Sequence, residues 1–496
     1  MSVKVTINRL PTGVPGLDEV LGGGLPEFSF NLLAGPPGCG KTTLAHQIMF
    51  SLATPERPAL YFTVLGEPPL KMMRYQQQFD FFDADEINRS VRFINLSDET
   101  LAGDLDVVLA RILAEVRQHS PALVFVDSFR SVVLASKTEG DPHVNPHNTL
   151  QQFVQSLGMQ MTSWQATTFL IGEYFTETDP NPIFTVADGL IWLRQSVQRN
   201  SMVRKLEIMK MRGQPILPGL HTFRIATSGV EVFPPAGAVA RRPEPDPAVA
   251  AEVRPRLAMG VPHLDEMLGG GLPAGYSLLV AGPSGSGKSI LAAAFLAAGV
   301  ANGEPGVIVA FEQHPNRARN PVLAVLISSG QVGLIDSRAT DLSIDEIVKL
   351  LVTEIRRLGA RRVVIDSLSG FELAVAPTFR EDFRESLLRM VSALAAEGVT
   401  VLMTSELEDR YTDLRFSPYG TAFLTDAIIV QRYIEIDSRL LRMMAVVKLR
   451  GSAHSNELRE FTIDAAGIRL GKRLAGQEGL LGGRPTHTLA IAEPVS

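Results

Sequence analysis

The sequence predicts an α/β protein made of two similar domains in tandem, each with a mostly parallel sheet flanked by helices. Residues 13–45 and 260–292 align without a gap and are identical at 21 of 33 positions, so the chain contains a duplication. In both halves, apolar strand-like runs alternate with helical stretches, and this alternation is typical of parallel sheets. A Pro- and Ala-rich stretch that starts at Pro234 separates the halves.

The length of 496 residues is too great for one hydrophobic core and fits two domains. We predict a first domain over residues 1–235, a linker over 236–255 and a second domain over 256–471. Residues 472–496 include a Gly-Leu-Leu-Gly-Gly-Arg-Pro segment and show little core-forming pattern. They are predicted to form a C-terminal tail.

Each half contains the spacing G-x-x-x-x-G-K-[ST], as GPPGCGKT at 35–42 and GPSGSGKS at 282–289. Glycines let backbone N–H groups converge on a phosphate at the start of a helix. Lys41 and Lys288 are therefore expected to reach the β- and γ-phosphates of ATP, and Thr42 and Ser289 to ligate Mg²⁺. The predicted ATP-binding residues are Gly35, Gly38, Cys39, Gly40, Lys41, Thr42 and Thr43 in the first copy and Gly282, Ser284, Gly285, Ser286, Gly287, Lys288, Ser289 and Ile290 in the second.

Carboxylates follow two apolar strands in each half. Asp127 and Asp366 end the runs Leu-Val-Phe-Val and Val-Val-Ile, where an acid can hold Mg²⁺ beside a phosphate loop. Glu67 and Glu312 follow an earlier strand and could orient or deprotonate the attacking water. The alternative for the two glutamates is an ordinary loop or helix-start residue.

A Lys-x-Arg-Gly sequence occurs near the end of each half, with Lys210 and Arg212 in the first and Lys448 and Arg450 in the second. Residues two apart on a strand point to one face. These cations could therefore act on the γ-phosphate of a neighbouring subunit. The alternative is a solvated strand face.

Composition narrows the class of protein. The net charge of −6 argues against a dedicated nucleic-acid binder, which usually shows a basic face. No apolar run is long enough for a membrane helix, and the N-terminal residues lack the apolar core of a signal peptide. With Cys39 as the single cysteine, a cytoplasmic location is expected. Cys39 itself is either a reactive thiol or a small residue tolerated where the second copy has Ser286.

On these motifs the chain resembles the KaiC family of the RecA superfamily. The most specific segments are Gly-x-x-x-Leu-Asp-x-x-Leu-Gly-Gly-Gly before each phosphate loop and the two Lys-x-Arg-Gly sequences. The resemblance implies two tandem RecA-like domains, a homo-hexameric double ring with ATP between subunits, and slow ATP hydrolysis in the first ring. It also implies Ser/Thr autophosphorylation in the second ring, a role as a circadian clock protein, and a regulatory contact made by the tail.

The chain departs from the family pattern at positions that matter for catalysis. The paired glutamates of the family are replaced by Gly66-Glu67 and Glu312-Gln313. The Ser-Thr acceptor pair aligns with Ala422-Phe423, which cannot accept phosphate. Nearby hydroxyls that could substitute are Ser417, Thr421 and Thr425.

Four functions remain open from the sequence. The first is a KaiC-like ATPase that acts as a nucleotide-dependent signalling switch. The others are an ATP-stabilised hexameric scaffold with negligible catalysis, a Ser/Thr autokinase, and a RecA-type DNA motor. The altered glutamate pairs motivate the scaffold, and the negative net charge argues against the motor.

Overall fold

In the computed structural model the chain forms two compact units. The first ends at Pro235 and the second begins at Ala236. The described residues are 7–63, 69–101, 105–128, 146–175, 182–198, 201–235, 254–311, 320–336, 342–375, 383–407, 424–436, 438–474, 477–478 and 486–487. Most of the predicted linker therefore lies outside the described residues.

The first domain is built on a nine-stranded sheet preceded by a short pair of strands. The pair is β1 (Arg9–Leu10) and β2 (Leu25–Pro26). The sheet comprises β3 (Phe30–Gly35), β4 (Ala59–Thr63), β5 (Val91–Asn95), β6 (Leu123–Asp127), β7 (Thr167–Glu173), β8 (Gly189–Gln198), β9 (Ser201–Met211), β10 (Leu220–Ala226) and β11 (Gly229–Phe233). Its helices are α1 (Leu17–Val20), α2 (Lys41–Leu52), α3 (Pro69–Gln76), α4 (Ser97–Leu101), α5 (Leu105–His119), α6 (Pro146–Ser163) and α7 (Pro182–Val186), with a 3₁₀ turn at Ala84–Glu86.

The strand order is β11-β10-β9-β8-β3-β7-β6-β4-β5. The six strands from β8 to β5 run parallel, and β9, β10 and β11 continue the sheet antiparallel. Neighbouring residues of β3 point to opposite faces, so Leu33 packs with Ile48 of α2 and Leu32 packs with Ile112 of α5. Helices therefore cover both faces of the sheet.

The second domain repeats this plan. Its strands are β12 (Arg256–Leu257), β13 (Leu272–Pro273), β14 (Ser277–Gly282), β15 (Gly306–Ala310), β16 (Val332–Asp336), β17 (Arg362–Asp366), β18 (Thr400–Glu406), β19 (Ala427–Ile436), β20 (Arg439–Leu449), β21 (Arg459–Asp464) and β22 (Gly467–Arg473). Its helices are α8 (Leu264–Met267), α9 (Lys288–Ala301), α10 (Pro321–Ser328), α11 (Ile344–Leu358), α12 (Leu368–Ala374) and α13 (Phe383–Ala396).

The order of the second sheet is β16-β15-β17-β18-β14-β19-β20-β21-β22. It again has six parallel strands followed by three antiparallel ones. Both halves thus have the predicted α/β architecture with a mostly parallel sheet, and the antiparallel extension is the same in each.

Capping residues define both ends of one helix in the second domain. The sequence predicts a helix over 344–358, and α11 spans Ile344–Leu358. Ser343 and Glu346 form a capping box at its start, and Gly359 ends it in the left-handed conformation. At the other end of the domain, β22 continues to Arg473, beyond the predicted boundary at Gly471. In the predicted tail, β23 (Gln477–Glu478) pairs with β24 (Thr486–His487).

A buried arginine ties the second domain together. The Arg362 side chain, 1% exposed, forms an ion pair of 2.7 Å with Glu304. It also donates to the carbonyls of Ala258 and Phe295, and its guanidinium lies 4.7 Å from the Phe295 ring. It therefore links the segment before the phosphate loop to α9 and to the start of β17.

We expect Arg362→Ala to destabilise the second domain by about 3 kcal/mol, because it leaves buried hydrogen-bonding groups and a carboxylate without their partner. Arg356→Ala is the control. It removes an ion pair with Glu397 in which the arginine is 69% exposed, and it should cost less than about 1 kcal/mol. Hydrogen-exchange protection of β17 and α9 in the full chain measures both effects. Equal losses in the two variants would contradict this account.

Candidate functional site

The phosphate-loop sequences connect a central strand to a helix in both domains. The first loop lies between β3 and α2, which begins at Lys41, and the second between β14 and α9, which begins at Lys288. Gly40 and Gly287 precede these helices with φ of 104° and 103°. A Cβ on Gly40 would lie 2.6 Å from Ile225 Cδ1. The left-handed conformation therefore favours glycine there, and a larger residue would also have to displace the end of the Ile225 side chain.

The lysine of each loop contacts the backbone of its own loop. Lys41 Nζ donates to the carbonyl oxygens of Gly35 and Pro36, at 3.0 and 2.9 Å. Lys288 Nζ donates to those of Gly282 and Pro283, both at 2.8 Å. Burial lowers the pKa of Lys288, and the charges of Glu406 and Asp366 oppose that shift. The ammonium groups are therefore held at the loops where a phosphate would bind.

The predicted metal-binding pair of the first domain is in direct contact. Thr42 Oγ1 donates a 2.8 Å hydrogen bond to Asp127 Oδ2, and the hydroxyl of Tyr61 donates to the same oxygen at 2.7 Å. Burial raises the pKa of Asp127, while the hydrogen bonds from Tyr61 and Thr42 and the charge of Lys41 lower it. A hydroxyl beside a carboxylate at the mouth of a phosphate loop is the hard-oxygen donor set that Mg²⁺ prefers.

In the second domain, Ser289 lies in the first turn of α9 and Asp366 ends β17. Asp366 Oδ1 accepts a hydrogen bond from Thr404 Oγ1 on the adjacent strand β18. Asp127 and Asp366 hold the same position in the sheet, since Thr63 pairs with Asp127 and Ala310 with Asp366. Either aspartate can therefore support a metal at the carboxyl edge of its sheet.

A cavity of about 350 Å³ opens at the first loop. Of the residues predicted from the sequence it is lined by Gly38, Gly40, Lys41, Thr42, Thr43 and Asp127, together with Thr63, Met72, Ser128, Glu173 and Ile225. The loop glycines, lysine and hydroxyls in its lining, and its volume, suit the phosphate end of a nucleotide. Gly35 ends β3 below the loop. In the second domain, Gly282 ends β14, residues 284–287 form the loop, and Lys288, Ser289 and Ile290 begin α9.

Cys39 and Ser286 occupy equivalent loop positions in different surroundings. Cys39 is fully buried, and a Cβ on Gly35 would contact both its Sγ and the carbonyl of Leu193. Ser286 is 1% exposed and donates a 3.1 Å hydrogen bond to Gln431, which stands where the first domain has Leu193. The thiol lies in one apolar cluster with Leu193 and 3.9 Å from Lys41 Nζ, whereas the Ser286 hydroxyl is hydrogen-bonded to a polar side chain.

Two acids at the site were missed from the sequence. Glu173 ends β7 and Glu406 ends β18, and they pair with Gly35 and Gly282 at the start of the loops. Glu173 raises the pKa of Asp127 and Glu406 raises that of Lys288 by their charges. The sequence could have indicated them, because each glutamate ends an apolar strand-like run at an equivalent position in the two halves.

The Lys-x-Arg pairs lie next to acids that directly precede a parallel strand, Asp188 before β8 and Asp426 before β19. Lys210 Nζ donates to the carbonyl of Thr185 at 3.0 Å, and Arg212 forms a 3.1 Å ion pair with Asp188. In the second domain, Lys448 donates to the carbonyl of Thr425 at 2.5 Å, and Arg450 lies 3.4 Å from Asp426. Burial is the main cause that lowers the pKa of Lys210 and of Lys448. The positive charge of the nearby Arg212 or Arg450 lowers it further.

In the described part of the first domain, these cations lie outside the lining of the cavity at the phosphate loop. Neither Lys210 nor Arg212 is among the described residues that line it. The Arg212 and Arg450 side chains are 58% and 52% exposed, so both guanidinium groups are accessible at the domain surface.

Four predicted residues lie outside the described part of the chain: Glu67, Glu312, Ser417 and Thr421. The third candidate acceptor, Thr425, is described and is fully buried. Modification of its hydroxyl would require this segment to open. Within the described segments no helix is long and apolar enough to cross a membrane, and no three His, Cys, Asp or Glu side chains cluster as a metal site would.

A glycine-rich loop between a parallel strand and a helix, with its lysine, hydroxyl and strand-ending carboxylate, defines a P-loop nucleoside triphosphatase, here with two RecA-like domains in tandem. The chain belongs to the KaiC ATPase family. The family model "ATPase: KaiC" matches residues 10–237 and 257–475.

The similarity to individual relatives extends over almost the whole chain. The circadian clock oscillator protein KaiC of Parathermosynechococcus lividus is 25% identical over 97% of this chain and 88% of the relative. That of Thermostichus vulcanus is 26% identical over 97% and 92%. The circadian clock protein KaiC3 of Synechocystis sp. is 25% identical over 97% and 95%.

We expect the Cys39 thiol to react slowly with a disulfide reagent such as DTNB in the folded protein. It is fully buried, and burial raises its pKa, so the reactive thiolate is scarce at neutral and mildly alkaline pH. The measurement compares DTNB reaction rates of native and guanidinium-unfolded chain, with Cys39→Ser as the blank. Rapid labelling of the native protein would support the reactive-thiol hypothesis instead.

Proposed function

We propose that this protein is a magnesium-dependent ATPase whose two domains bind ATP and whose nucleotide state acts as a signalling switch. The observation that carries the proposal is the repeated placement of phosphate loop, lysine, hydroxyl and strand-ending aspartate in both domains. Lys41 and Lys288 would hold the ATP phosphates. Thr42 with Asp127, and Ser289 with Asp366, would hold Mg²⁺, which neutralises charge on the phosphates when bound.

The proposed role of Glu67 and Glu312 is to orient or deprotonate the attacking water. Each follows a strand, β4 or β15, whose neighbour ends in the metal-binding aspartate. A carboxylate that leaves this edge of a parallel sheet stands close to the γ-phosphate position. The single remaining acid of each altered pair would then carry the reaction.

We further propose a homo-hexameric double ring with ATP at the subunit boundaries. Membership of the KaiC family supports this assembly. So does the position of Arg212 and Arg450, which are about half exposed and paired with the acids Asp188 and Asp426. In a ring, these arginines and their companions Lys210 and Lys448 could reach the γ-phosphate held by the adjacent subunit.

The nucleotide state of the protein would control its binding to other macromolecules in the cytoplasm. The C-terminal tail is the proposed contact for a regulatory protein. The names of the relatives, which describe clock proteins, support a signalling role of this kind. Autophosphorylation is the weaker proposal for the second domain, because Ala422 and Phe423 replace the family's acceptors and Thr425 is buried.

One observation favours a second function, an ATP-stabilised scaffold with negligible catalysis. Gly66 and Gln313 each replace one acid of the glutamate pairs, so each domain keeps one carboxylate. If that carboxylate is not the base, ATP would bind and hold the ring without being consumed.

Glu67→Gln with Glu312→Gln separates the two functions. The ATPase proposal predicts that phosphate release under saturating Mg·ATP falls by about 10²–10⁴-fold, because a general base is lost. ATP retention in a filter-binding assay should remain, because the phosphate loops are untouched. A parent protein that retains ATP but shows no release sensitive to these substitutions would favour the scaffold, and phosphate on the peptide containing residues 417–425 would revive the autokinase.

Mixing two inactive variants tests the shared site. Lys41→Ala removes the loop cation and Arg212→Ala the proposed neighbour's cation, and both chains carry Glu312→Gln to silence the second domain. Random co-assembly completes about one interface in four, so hydrolysis should reappear on mixing. If each mixture stays as inactive as its components, Arg212 does not act across a subunit boundary.

A further inference from the structure

Asp127 and Asp366 each accept a hydrogen bond from a hydroxyl on a neighbouring strand, but the neighbouring strand lies on opposite sides in the two domains. In the first domain, the hydroxyl of Tyr61 on β4 donates to Asp127 Oδ2 at 2.7 Å. In the second, Thr404 on β18 donates to Asp366 Oδ1. Strand β4 flanks β6 on one side, whereas β18 flanks β17 on the other. The supporting hydroxyl has therefore changed strands between the two copies.

The strand registers show that this change is reciprocal. Tyr61 pairs with Phe125 on β6, and the corresponding pair in the second domain is Ile308 with Val364. Ile171 pairs with Asp127 on β7, in the position that Thr404 holds beside Asp366. Each domain thus has a buried isoleucine where the other has its hydroxyl donor.

The Tyr61 side chain is held rigidly. It is fully buried, and its ring lies 4.5 Å from His46, 5.4 Å from Phe93 and 5.8 Å from Phe125. His46 belongs to α2, the helix that begins at the phosphate loop. Burial lowers the pKa of His46 to about 4, so the ring that packs on Tyr61 is neutral at physiological pH. The phenol can therefore fix one oxygen of Asp127 while Thr42 contacts that same oxygen.

We propose that Tyr61 is a positioning residue for the metal-binding carboxylate of the first domain, a task that Thr404 performs in the second. This inference rests on the proposed function, because it assumes that Asp127 supports Mg²⁺ beside a bound nucleotide. With Oδ2 held by Tyr61, the carboxylate keeps the orientation in which that oxygen contacts Thr42 at the phosphate loop. The equivalent aspartates of the two domains are then oriented by different hydroxyl groups. A substitution of one hydroxyl should therefore change the Mg²⁺ dependence of one domain without changing that of the other.

The test measures ATP-analogue binding to the first domain of the full chain, with Lys288→Ala present throughout to disable the second loop. Calorimetry gives the dissociation constant of a non-hydrolysable ATP analogue with Mg²⁺ and with EDTA. Tyr61→Phe should weaken binding with Mg²⁺ roughly tenfold, the scale of one hydrogen bond to a charged group. Binding in EDTA should stay within about twofold of the parent, because the phosphate loop itself is unchanged.

The rescue variant is Tyr61→Phe with Ile171→Thr, which places a hydroxyl where the second domain has Thr404. It should restore most of the Mg²⁺-dependent affinity, whereas Ile171→Thr alone should change it little. An unchanged Mg²⁺ effect in Tyr61→Phe would overturn the proposal, as would an equal loss with Mg²⁺ and EDTA, which a merely structural role predicts. If the parent with Lys288→Ala shows no Mg²⁺-dependent binding, the proposed function of the first domain fails and this inference with it.

Discussion

The hydrogen bond between Thr42 and Asp127 joins residues 85 positions apart, and the site of the first domain depends on the constraint that brings them together. Strands β3, β7 and β6 are parallel neighbours, so the loop after β3 and the acid that ends β6 emerge at one edge of the sheet. Glu173, at the end of β7, emerges between them. The same order, β14-β18-β17, repeats this edge in the second domain. The chemistry therefore follows from parallel strand order, with each side chain delivered by its own strand end.

The two domains share one backbone fold but differ in the side chains that pack around the phosphate loop and the strand-ending aspartate. Beneath the phosphate loops, Cys39 beside Leu193 in the first domain corresponds to Ser286 beside Gln431 in the second. Beside the proposed metal-binding aspartates, a tyrosine on one strand corresponds to a threonine on the other. Such paired changes preserve packing and hydrogen bonding while they give each domain its own local environment. Two sites with one geometry can thereby differ in affinity for metal and nucleotide.

Much of this architecture could be predicted from the sequence, because its signals are local. The loop glycines, Lys41, Asp127 and the span of α11 are each specified by a short motif or a helix cap. The contacts of Tyr61 and Thr404 could not be predicted, because they depend on which strands are neighbours and in which register. Glu173 and Glu406 were missed for the same reason, since their meaning lies in pairing with the glycines that start the loops.

We propose that each domain holds a nucleotide site and that the two sites share one geometry. The most direct test is the number of ATP-analogue molecules bound per chain with Mg²⁺, measured by equilibrium dialysis on the parent and on Lys41→Ala and Lys288→Ala. We expect two for the parent and one for each variant, because each loop lysine donates to carbonyl groups of its own loop. One nucleotide or none on the parent, or the loss of both from a single substitution without unfolding, would contradict it.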